Sequence, residues 1–64
     1  MKKEVIYDGI NPKYGFTVTV TKSYTYVGEG FKRLVYTLHV GDRKIASFED
    51  ENEAFVAYME MIKV

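Results

Sequence analysis

The side chains of this chain that can do chemistry are one histidine, two serines, a run of carboxylates and a set of cations interleaved with tyrosines. There is no cysteine, hence no thiolate nucleophile, and neither Ser23 nor Ser47 stands in a flanking pattern that would supply an activating base. His39 alternates onto the same strand face as Arg33 and Thr37, where an imidazole contacts an anion or simply stands in solvent, the commoner case. Glu49, Asp50, Glu51 and Glu53 have the composition of a metal cluster, but helix-start electrostatics account for all four, so no metal is implied. Gly28-Glu29-Gly30 is too short for a phosphate-cradling loop, and no helix follows it. The inventory argues against an enzyme and implies no cofactor.

What remains is recognition chemistry. Tyr24, Tyr26, Lys32, Arg33, His39, Arg43 and Lys44 form the candidate binding set: phenol rings stack or pack, and ammonium and guanidinium groups neutralise anions. Six tyrosines and four phenylalanines exceed what one thin core encloses, so some aromatic surface is expected to meet a partner, with Tyr24 and Tyr26 the foremost candidates. The net charge of zero conceals a dipole. Residues 1–48 carry eight Lys and Arg against four Asp and Glu, net +4, whereas residues 49–64 carry one Lys against five Asp and Glu, net −4. A basic, threonine-rich outer sheet face can hold phosphate or an acidic protein patch, while the acidic helix start repels DNA; solvation alone accounts for both patches equally well.

These residues need elements to position them. Phe16, Val18 and Val20 alternate with Thr17, Thr19 and Thr21, and in the run 31–40 Leu34, Tyr36, Leu38 and Val40 alternate with Arg33, Val35, Thr37 and His39. Val27-Gly28-Glu29-Gly30 supplies residues tolerant of positive φ between the two runs, and Gly41-Asp42 does so before a third strand at 43–48, a turn that would pair Leu38 with Ile45. Residues 3–7 read as an edge strand that pairs within the sheet or with another subunit. Asp8-Gly9 and Asn11-Pro12-Lys13-Tyr14-Gly15 read as loop, and the match to the Asn-Pro-x-Tyr peptide signal is taken as a turn.

Ile45 to Tyr58 then joins a strand end to a helix over about 51–63. Asp50 is its cap, with Glu53 reaching back to the Asp50 amide as a capping box. Ala54, Phe55, Tyr58, Met59 and Ile62 recur as one apolar stripe for the sheet to cover. The fold class is α+β: an antiparallel meander, with strands at about 3–7, 16–26, 31–40 and 43–48, packed on one C-terminal helix.

At 64 residues and 47% apolar content the chain is one domain. It buries only about 60% of its unfolded surface and has no disulfide to compensate, which makes a homo-oligomer a plausible remedy. The sequence has no secretory h-region and no apolar run of spanning length, and with no cysteine it fits a reducing cytoplasm.

Ile45-Ala46-Ser47-Phe48, then Asp50, Glu53-Ala54 and Ala57-Tyr58 resemble the end of the AP2-type DNA-binding domain and of the related N-terminal arm-binding domains of tyrosine integrases. The resemblance covers about a quarter of the chain. It implies a three-stranded sheet that enters the DNA major groove, backed by a helix, with Lys32, Arg33, Arg43 and Lys44 taking the base or phosphate contacts. Three functions are therefore carried forward. The first is a non-enzymatic, oligomeric inhibitor or adaptor of the phage or mobile-element type that binds a host protein. The second is nucleic-acid binding through the sheet, with Tyr24 or Tyr26 stacking. The third is a sponge that sequesters a nucleotide or cyclic dinucleotide at a subunit interface, using tyrosine with Arg33 or Lys44.

Overall fold

The computed structural model describes residues 2–26, 28–30 and 32–63. Four antiparallel strands, β1 (Lys2–Ile10), β2 (Thr17–Tyr26), β3 (Lys32–Val40) and β4 (Arg43–Phe48), lie in sequence order, and α1 (Glu51–Ile62) packs on one face. Val27 and Phe31, assigned from sequence to the turn and strand, lie outside the described residues. Gly28 and Gly30 both take positive φ at the β2–β3 connection. At the β3–β4 turn Gly41 has φ 61° while Asp42 does not share it, which is the signature of a II′ hairpin.

The alternation of β2 and β3 holds. Val18 and Val20 are fully buried, Tyr36 and Leu38 nearly so, and these four meet Ala54 and Tyr58 of α1 in the core. Two bulges depart from the simple pattern. In β1 the register slips between Val5 and Tyr7, and the inserted Ile6 packs against the core together with Tyr7, so both large side chains serve one face. In β4 it slips between Leu38 and His39, so Leu38 pairs with Ala46 rather than Ile45. The two-residue turn starts the ladder as expected at Val40 and Arg43, but the bulge absorbs Ile45 and leaves it half exposed.

Three further differences concern helix and loops. Asp8 and Gly9 are not loop: β1 runs on to Ile10, pairing Gly9 with Val18. The cap is Asp50, whose Oδ1 accepts the Asn52 amide at 2.8 Å, a contact worth about 1 kcal/mol. Among the described residues the reciprocal Glu53 bond is not formed, so Asp50 caps alone. The buried helix face is Ala54 and Tyr58, flanked by Ala57, Met61 and Ile62. Phe55 and Met59, placed in the stripe from sequence, sit at its margin, each 43% exposed, because the helix turns the side bearing Ala54, Tyr58 and Met61 to the sheet. Phe55 still meets Tyr7, ring centroids 5.3 Å apart, and Tyr58 stacks on the same ring at 5.3 Å.

Candidate functional site

The molecule is long and thin, 46 × 20 × 15 Å, and α1 covers only part of the sheet. Phe48 pairs with Tyr36, so the helix begins near the middle of β3. At its other end the Met61 carbonyl accepts the side-chain amide of Asn11, beside the β1–β2 loop. α1 therefore runs away from the β2–β3 turn, and beyond Tyr36 that hairpin extends as an uncovered arm. On the arm's helix-side face alternation places Lys22, Tyr24 and Tyr26 across from Tyr36, Leu34 and Lys32.

The arm is an aromatic and cationic patch. Lys22 and Lys32 both stand over the Tyr24 ring, at 5.4 and 5.5 Å from its centroid. Tyr26 is 68% exposed. Hydrogen bonding to the Tyr24 side chain, and then Coulombic attraction to it, raises the Lys22 pKa above the ordinary lysine value. The ammonium is charged at neutral pH with or without this shift, and what the Tyr24 contact contributes to stability is lost as pH rises through the raised value.

The sequence-derived binding set does not assemble in one place. Tyr24, Tyr26 and Lys32 come together on the arm. Arg33 alternates onto the opposite face and pairs with Glu49 at 2.5 Å, an exposed ion pair of a kind worth about 0.2–1 kcal/mol. His39 lies opposite Lys44 near the β3–β4 turn, far along the strand from Arg33, and its Nε2 is 3.4 Å from the Thr21 hydroxyl. Arg43 pairs with Val40 and so belongs to the helix-side alternation. The outer sheet face is threonine-rich as expected, with Thr17, Thr19, Thr21 and Thr37, but its cations are dispersed. Asp8 also sits there, accepting the Thr19 hydroxyl at 3.4 Å.

A second surface was not visible in the sequence. The side of α1 turned from the sheet exposes Val56 (59%), and Phe55 and Met59 flank it. Between α1 and the β4 edge runs an open groove of about 450 Å³, lined by Phe48, Ala57 and Val56 with Asn52 and Glu53 at its rim. Period-3.6 reasoning assigned Phe55 and Met59 to the core, which hid this surface; the signal available was Val56 itself, an apolar residue off the stripe.

Among the described residues no cluster of His, Cys, Asp or Glu has metal-site geometry, and no helix is long and apolar enough to cross a membrane. Compared with known proteins, the chain matches no family model, no curated protein and no solved structure.

Proposed function

We propose that this chain is a non-enzymatic protein-binding module of the inhibitor or adaptor type, working as a small oligomer. The observation that carries this reading is the open face of α1, where Val56 and Met59 stand in solvent, Val56 also lining the apolar groove on the β4 side and Phe55 half exposed on the β1 side. Large apolar side chains clustered on a helix of a small domain are characteristic of interface centres rather than of free surface. Nucleic-acid binding, which the resemblance to AP2-type domains implies, draws less support. Lys32, Arg33, Arg43 and Lys44 are divided between two faces and two ends of the sheet, and Arg33 is already paired with Glu49. A nucleotide sponge needs the same residues together and is weakened by the same separation.

The test is capture from a lysate with Val56→Glu as control. Val56 is mostly exposed, so the substitution is expected to change stability by less than about 0.5 kcal/mol. Partners held by the wild type should be lost by at least tenfold in the variant. Capture that is indifferent to the charge at this position would contradict the reading.

A further inference from the structure

The open face of α1 and the bare arm are complementary in length, charge and polarity. α1 has 12 residues and is about 18 Å long, and the arm from Lys22 to Tyr26 rises about 13 Å before its turn. The helix offers Val56 and Met59 rimmed by Glu53 and by Glu60, which pairs with Lys63 at 3.7 Å; the arm offers Tyr24, Tyr26 and Leu34 rimmed by Lys32 and by Lys22, which stands opposite Glu4 of β1. Within one chain they cannot meet, because α1 starts near the Tyr36 row and runs the other way.

The geometry points to a second copy of this chain as the occupant of the open helix face, through a two-fold dimer in which each arm lies on the partner's α1. This names the partner for the protein-binding surface proposed above and rests on that reading. A two-fold axis crossing the strands near Tyr36 reverses the second molecule, so that its helix starts over Lys22 and runs toward the arm's turn. Glu53 of one copy then comes beside Lys22 of the other, Val56 lies over Tyr24 and Leu34, and Met59 and Glu60 lie over Tyr26 and Lys32. The contact occurs twice and matches the −4 of residues 49–64 with cations drawn from the +4 of residues 1–48. The result is two sheets enclosing two helices, with both threonine-rich faces directed outward.

Charge reversal at Lys32 and Glu60 tests this, since both residues are exposed and Glu60 lies well away from the cap. Sedimentation velocity over a concentration series should show a wild-type dimer. K32E alone and E60K alone should each associate at least tenfold more weakly, because each brings like charges together twice. An equimolar mixture should recover the wild-type mass, because both contacts of the mixed dimer then pair opposite charges. Recovery also requires both variants to be folded, which removes misfolding as an explanation. A wild-type chain that stays monomeric, or a mixture no heavier than its components, overturns the dimer. The underlying reading fails separately: if Val56→Glu leaves both self-association and lysate capture unchanged, the open face of α1 is not a binding surface.

Discussion

Asn11→Ala is expected to destabilise the domain by about 2–4 kcal/mol, a large share of the roughly 3–10 kcal/mol available to a chain of 64 residues. Asn11 is almost fully buried and uses every polar group it has. Its Oδ1 accepts the amides of Lys13 and Tyr14 at 2.9 and 2.8 Å, forming the turn around Pro12. Its backbone amide donates to the Phe16 carbonyl, and its own carbonyl accepts from Gly15. Its Nδ2 donates to the Met61 carbonyl at 2.8 Å, tying the last turn of α1 to the loop. Truncation leaves the Met61 carbonyl and two loop amides short of partners at once. Asn11→Asp keeps both acceptor contacts but replaces the donor with an oxygen facing the Met61 oxygen, so it should cost a comparable amount. Urea denaturation of the three proteins checks this, and a loss below about 1 kcal/mol for both variants would show that the tether is not structural.

The second large effect is expected at Gly9. A Cβ built there falls 2.5 Å from the Tyr58 hydroxyl and 3.4 Å from Cζ, so the absence of a side chain in β1 is what lets the tyrosine lie against the strand. Gly9→Ala should therefore cost about 1–3 kcal/mol by overpacking, although alanine normally favours a strand no less than glycine does. Tyr58→Phe removes the atom that clashes while keeping the ring stacked on Tyr7. The combined variant should be more stable than Gly9→Ala alone, with a coupling of about 1 kcal/mol or more. Strict additivity in thermal melts would mean that Tyr58 does not occupy this position.

These two sites also mark the limit of what the sequence displayed. Period-two alternation located Val18, Val20, Tyr36 and Leu38, because a one-residue slip would have put all four in water. The Asp50 cap was equally legible, being local chemistry over three residues. Gly9 and Asn11 read as loop residues because their roles depend on Tyr58 and Met61, some fifty residues away in the chain. The bulges at Ile6 and Ile45 were invisible for a related reason: a bulge is selected by what the neighbouring strand and helix need to cover, not by local propensity. The binding set suffered most. Composition identified tyrosines and cations as the surface chemistry, yet alternation and the length of α1 decide which of them meet: Tyr24, Tyr26 and Lys32 gather on the arm, His39 and Lys44 pair on the outer face, and Arg33 and Arg43 stand apart from both groups.

The central claim is that α1 folds back over the Gly9 end of the sheet and leaves the hairpin arm uncovered by its own chain. Nuclear Overhauser contacts in the E60K variant, where self-association is suppressed, test it most directly. The Tyr58 ring protons should show strong cross-peaks to the Gly9 α-protons, and the Asn11 side-chain amide to Met61, with none between the Tyr26 ring and α1. Cross-peaks joining Tyr24 or Tyr26 to Val56 or Met59 within that single chain would place the helix on the arm and contradict the account.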